Sequence, residues 1–99
     1  MSLNRYNPAR DANEREIAAV LKRAGCMVEP LSGKAIPDLL VGFAGRWLLM
    51  EVKTETGRLT RPQAIWHYEA GLKGLPVTMV RSPEEALKVL RDVVEQEAG

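Results

Sequence analysis

Ile36-Pro37-Asp38-Leu39-Leu40-Val41-Gly42-Phe43-Ala44-Gly45-Arg46-Trp47-Leu48-Leu49-Met50-Glu51-Val52-Lys53 is the stretch whose pattern sets the fold. Leu39 to Phe43 is an apolar run too short for a helix, and it reads as a buried strand. Ala44-Gly45-Arg46 supplies a tight turn, and Trp47 to Lys53 returns as the second strand of a hairpin. Side chains alternate along a strand, so Leu48, Met50 and Val52 share one face while Glu51 and Lys53 share the other. Antiparallel pairing sets the start of the first strand beside the end of its partner. Asp38 and Glu51 therefore converge although twelve residues lie between them.

On the N-terminal side, Asp11 and Glu14 have the spacing of a helix cap and its capping-box partner. Ile17, Val20, Leu21 and Ala24 then recur at helical spacing as far as Gly25. Residues 1–10, ahead of this cap, are expected to form a flexible or dimer-contacting arm. Cys26 to Leu31 is a short strand stopped by Ser32-Gly33-Lys34. On the C-terminal side, Thr60 caps a second helix with Pro62 in its first turn; it carries Ile65, Tyr68 and Leu72 and ends at Gly74. Pro76 to Val80 is a fourth strand. Ser82-Pro83-Glu84-Glu85 is a further capping box, opening a helix with Ala86, Leu87, Leu90, Val93 and Val94 inward. The order αβββαβα predicts an α/β fold with a mixed four-stranded sheet flanked by helices.

Composition narrows the class without naming the chemistry. The chain has 99 residues, 45% hydrophobic and 27% charged, with net charge +1, which suits one folded domain spanning 1–99 and excludes a disordered chain. Cys26 is the sole cysteine, so an intrachain disulfide and a cysteine zinc cluster are excluded, and a reducing, cytoplasmic setting is expected. No apolar run approaches the ~18 residues of a membrane span, and the N-terminal residues do not read as a secretory signal. Residues 1–37 and 54–81 each carry a net +2, whereas residues 82–99 carry −3. A polyanion would be drawn to one side of such a molecule, although a mixed solvated surface explains the same charges.

Chemistry concentrates at the open end of the hairpin. Two adjacent carboxylates repel each other unless a proton or a cation lies between them. A hard divalent ion with oxygen ligands suits Asp38 and Glu51, and Mg²⁺ would keep several of its waters there. Lys53, on the strand face of Glu51, could act on a water at the ion and stabilise developing phosphate charge. A salt bridge from Lys53 to Asp38 or to Glu51 would satisfy the same charges, and on physical grounds the two readings stand even.

Ile36-Pro37-Asp38 followed by Glu51-Val52-Lys53 resembles the PD-(D/E)XK nuclease signature. With Asp11-Ala12-Asn13-Glu14-Arg15-Glu16-Ile17, Pro37-Asp38-Leu39-Leu40-Val41-Gly42, Leu59-Thr60-Arg61-Pro62-Gln63 and Val80-Arg81-Ser82, the chain resembles the VRR-NUC (virus-type replication-repair nuclease) branch. The likeness is to the stand-alone phage and prophage form, and it runs from about Asp11 to Leu90. It implies a restriction-endonuclease-like core, metal ligation by Asp38, Glu51 and the carbonyl of Val52, and Lys53 as the catalytic lysine. It further implies that Gln63 contacts the metal site, the water or the phosphate, although three residues past Thr60 a capping role fits equally. An acidic residue on the first helix would complete the site through a water. Glu16 matches that position better than Glu14, which has its own explanation in the capping box, but both flank the apolar stripe and geometry leaves the choice open.

Arg46, Arg58 and Arg61 are candidate phosphate contacts, each of which taken singly reads slightly better as a solvated surface arginine. His67, the only histidine, reads as a surface or substrate-contact residue, and Trp66 and Tyr68 as core or dimer contacts. The activity implied by the resemblance is Mg²⁺-dependent endonucleolytic hydrolysis of DNA, with Mn²⁺ substituting, on branched substrates such as Holliday junctions. A homodimer is expected, because two symmetric cuts need two sites. Trp47, Trp66, Leu48 and Met50 also offer more apolar surface than a short sheet covers from within, unless both tryptophans are ordinary core residues. The alternative from another class is a catalytically silent DNA- or protein-binding module on the same fold. Intact Asp38, Glu51 and Lys53 favour the enzyme.

Overall fold

The computed structural model describes residues 7–98. The elements are α1 (Pro8–Arg23), β1 (Met27–Pro30), β2 (Leu39–Phe43), β3 (Arg46–Val52), α2 (Arg61–Leu72), β4 (Val77–Val80) and α3 (Pro83–Ala98), in the order read from the sequence. Helix α1 begins earlier than expected. Asn7 is its cap, accepting the Arg10 N–H at 3.1 Å, and Pro8 takes the first helical position, where its fixed φ is an advantage. Asp11 therefore lies inside the first turn, and residues 7–10 are helix start and not arm; residues 1–6 lie outside the described residues.

One sheet of order β1-β2-β3-β4 runs through the molecule. β1, β2 and β3 pair antiparallel and β4 joins β3 in parallel, reached through α2. The hairpin turn is two residues long, closed by the Phe43–Arg46 pair. Ala44 (φ 55°) and Gly45 (φ 79°) both take positive φ, the conformation that matches the twist of the flanking strands.

Period-two alternation assigns the two faces. Val28, Leu39, Val41, Met50, Val52 and Val80 form one buried face, on which α1 and α3 pack against each other through Ile17, Leu21, Ala86 and Leu90. α2 lies on the opposite face and covers only its β3–β4 side. That arrangement corrects two expectations about apolar surface. Met50 is fully buried and Leu48 packs against the core, so neither is free for a partner, while Trp47 stays 57% exposed on the opposite face with its ring against Gly42. Val94, expected inward on α3, is exposed, whereas Ala86, Leu90 and Val93 are buried and Leu87 and Val89 pack against the core. No helix among the described residues is long and apolar enough to cross a membrane.

Candidate active site

One pair beyond Leu39–Met50 in the hairpin register, Asp38 comes to lie opposite Glu51. The backbone holds Asp38 firmly: its N–H donates to the Met50 carbonyl (3.1 Å) and its carbonyl accepts from Leu31 N–H (2.8 Å). The Asp38 side chain is fixed at both oxygens. Oδ2 accepts the Val52 N–H at 2.8 Å, and Oδ1 lies 3.2 Å from Arg10 Nη1. Val52 thus meets the site through its N–H.

Glu51 is the one fully buried charged side chain among the described residues. Its Oε1 lies 3.1 Å from His67 Nε2 and its Oε2 lies 3.5 Å from Gln63 Nε2. Burial pushes the Glu51 carboxyl up to about 8, reinforced by a hydrogen bond with Asp38 and by that neighbour's charge, against the opposing pull of Lys53 and Arg10. Burial, and then the charge of Lys53, lowers the pKa of His67, so the imidazole beside Glu51 is neutral near pH 7. His67, expected at the surface or on substrate, is instead turned inward against a carboxyl.

Lys53 Nζ donates to Gln63 Oε1 at 2.8 Å and makes no ion pair with Asp38 or Glu51. Gln63 makes the capping contacts and also reaches the cleft. Its Oε1 also accepts the Thr60 N–H (2.9 Å) and its own N–H donates to Thr60 Oγ1 (3.3 Å), a complete capping box, while the same side chain reaches Lys53 and Glu51. The helix start is thereby pinned to the carboxylates.

Asp38, Glu51, Lys53 and Gln63 line one cleft of about 490 Å³, together with Asn7 and Arg10 of α1 and the Ser32–Lys34 loop. Glu16 is exposed and stands outside this group, whereas Glu14 lies one turn from Arg10 and bonds its guanidinium. Residues 10, 14, 17 and 21 form one helical stripe, so Glu14 continues the buried face of Ile17 and Leu21 toward the cleft. Arg46 is at the far end of the sheet, paired with Glu97 at 2.6 Å. Arg58, in the loop after β3, and Arg61, in the first turn of α2, are both exposed.

Three residues hold the site together without a role read from the sequence, although Asn13 and Arg81 lie within stretches that carry the resemblance. Arg10 precedes Asp11, the helix start that the sequence suggests. Asn13 Nδ2 donates to the carbonyls of Lys53 (3.0 Å) and Arg81 (2.9 Å), tying α1 to the ends of β3 and β4. Arg81 Nη1 donates to the carbonyls of Thr54 (2.7 Å), Glu55 (3.2 Å) and Gly57 (2.7 Å), clasping the loop that carries Arg58. For Asn13 and Arg81 the partners are backbone carbonyls far along the chain, which composition and period do not report.

No family model and no curated protein matches the chain. Among solved structures, a VRR_NUC domain superposes with a TM-score of 0.74 over 86% of this chain and 97% of that one, at 23% identity. The chain has the VRR_NUC fold. That fold places the hairpin, the capped start of α2 and the first turn of α1 around a single cleft.

The donor set fits a hard divalent cation. Two carboxylates face each other, one of them dry enough to hold a proton near neutrality, and both offer oxygen to an ion. Among the described residues no three His, Cys, Asp or Glu side chains gather into a cage. Two carboxylates with the remaining positions left to water is the coordination that Mg²⁺ favours.

Proposed function

We propose that the chain is a metal-dependent deoxyribonuclease whose site is built on Asp38, Glu51 and Lys53. One observation carries this reading. Lys53 forms neither of the salt bridges that would have explained its charge away: it is bonded to Gln63, while Asp38 pairs with Arg10 and Glu51 lies against His67, Gln63 and Asp38. A buried carboxyl facing a second carboxylate must keep a proton, as Glu51 does near neutrality, or exchange it for a cation, and a metal ion is the cation proposed.

Asp38 and Glu51 would hold a Mg²⁺ or Mn²⁺ ion, with the Val52 carbonyl as a further oxygen ligand. When bound, the ion would neutralise the phosphate and make a water more acidic. The residues of the chain do the rest. Asp38, clamped at Oδ2 by the Val52 N–H, keeps its carboxylate aimed into the cleft. His67 and Gln63 orient Glu51. Gln63 Oε1 holds the Lys53 ammonium at the cleft, where it stabilises charge developing on the phosphate. Glu14 is the better-placed acid of α1, in preference to Glu16. Arg58 and Arg61, exposed on the loop and helix start that follow Lys53, would serve as phosphate contacts. Arg46, bound to Glu97 at the opposite end of the hairpin, has no part in them.

The substrate proposed is branched DNA, cut by a homodimer carrying two such clefts, in the cytoplasm. A cleavage series over four-way junctions, flaps, hairpins and linear duplex, with Mg²⁺, Mn²⁺ or chelator, tests the reading. Metal-dependent cutting that Asp38→Asn and Glu51→Gln each abolish in folded protein is expected. If no DNA is cut under any metal, the silent binding module on the same fold is the better reading.

A further inference from the structure

Asp38 Oδ2 is committed to a backbone N–H, so Oδ1 is the oxygen left to face a cation, and a cation already faces it. Arg10 Nη1 lies 3.2 Å from Oδ1 and also bonds Glu14 Oε1, while Nη2 lies 2.7 Å from Asp11 Oδ1. The Arg10 side chain is half-buried, 29% exposed. Two of its three acidic partners sit on its own helix, so Arg10 can release Asp38 and remain paired. Two cations on one carboxylate oxygen at this range repel strongly in a partly desolvated site.

We propose that Arg10 is the resident counter-ion of Asp38 and competes with the divalent ion for Oδ1, giving way to it by withdrawing onto Asp11 and Glu14. The proposal rests on the metal-site reading above. Arg10 is a positioning residue in this scheme. It keeps the carboxylate paired and aligned while the ion is away, and it sets how tightly the ion binds.

Titration calorimetry with Mn²⁺ on the parent, Arg10→Met, the milder Arg10→Gln and Arg10→Lys tests it, with Asp38→Asn as the variant lacking the site. Removing the charge should tighten Mn²⁺ binding about tenfold or more in whichever neutral variant folds, and Arg10→Lys should stay within about threefold of the parent. The melting temperature of the neutral variant should fall in chelator and rise further than the parent's when Mn²⁺ is added. Equal Mn²⁺ affinity in parent and neutral variants, with binding lost in Asp38→Asn, would overturn the competition alone. Absence of Mn²⁺ binding in every protein would overturn the metal site itself, and the competition with it.

Discussion

Glu51 makes the metal-free protein sensitive to pH, and the sign follows from where its proton resides. In the fold its carboxyl titrates at about 8, against an ordinary value of 4.5, so between those values the folded chain holds a proton that the unfolded chain has lost. Its stabilising contribution is fully present below about pH 4.5, erodes as pH rises, and is gone once pH passes about 8. His67, with its pKa lowered from 6.5, works the opposite way at acidic pH, which leaves the interval from 6.5 to 8 to Glu51. Thermal melts in chelator should therefore fall across that interval in the parent and stay flat in Glu51→Gln, and millimolar Mg²⁺ should remove the parent's decline. A parent melting profile level from pH 6.5 to 8 would show that Glu51 is already ionised in the empty fold. Lys53 separates chemistry from binding. Lys53→Ala should slow the cleavage step on the order of 10²–10³-fold with little change in DNA affinity. Arg58→Ala or Arg61→Ala should instead weaken binding and lower its salt slope by about one. Parental single-turnover rates in Lys53→Ala would leave the lysine a bonding partner of Gln63 only. Asp38, Glu51 and Lys53 were legible in the sequence because charge at the end of an apolar strand stands out against its neighbours. His67 was not, because its partner lies on a strand sixteen positions away and α2 has no pattern of its own that marks the position.

At the scale of elements, the hairpin and the helix order were legible because turn residues and apolar period are local signals, and the structure keeps them to within a residue or two at most boundaries. The start of α1 was misplaced for a physical reason: Asn7-Pro8 and Asp11-x-x-Glu14 are both competent helix starts, and the earlier one adds a turn of helix that brings Arg10 to Asp38. The third capping box is also only half made. Ser82 Oγ accepts the Glu85 N–H, but Glu85 turns its carboxylate to the Arg81 N–H, at 2.8 Å. Arg81 is the more consequential residue there, because its side chain fastens the loop between β3 and α2. Arg81→Ala should cost about 1–2 kcal/mol of stability through the lost charge-assisted hydrogen bonds. It should also speed amide exchange over residues 54–60 and weaken DNA binding through the loosened Arg58. Exchange in that loop unchanged from the parent would mean that the loop holds its shape without the clasp.

At the scale of the whole molecule, the covered and uncovered faces are unequal. α1 and α3 bury one face of the sheet, whereas α2 buries little of itself: Ala70 alone is buried on that helix. Ile65, Tyr68 and Leu72 fall on one stripe of α2 at 48%, 67% and 70% exposure, and beyond the helix Leu75 and Met79 are exposed as well. Scattered apolar residues at a surface need no explanation, but three large ones aligned on one helix face, a tyrosine among them, have the composition of an interface centre. A second copy of the chain is the partner that the proposed reaction calls for. A molecule with a radius of gyration of 13.5 Å carries one cleft, and two symmetric cuts across a branch point need two clefts at a fixed spacing. Of the residues expected at such an interface, alternation turns Leu48 and Met50 into the core and leaves Trp47 exposed, so the proposed dimer would use the exposed stripe of α2. Light scattering or sedimentation should give twice the 11.0 kDa chain mass at micromolar concentration. Tyr68→Glu with Leu72→Glu should return it to a monomer that keeps its fold and its metal binding, since neither side chain reaches the cleft. That monomer should lose paired junction cuts while still nicking one strand. A parent mass of 11.0 kDa at every concentration would exclude the free dimer and leave the junction itself to bring two chains together.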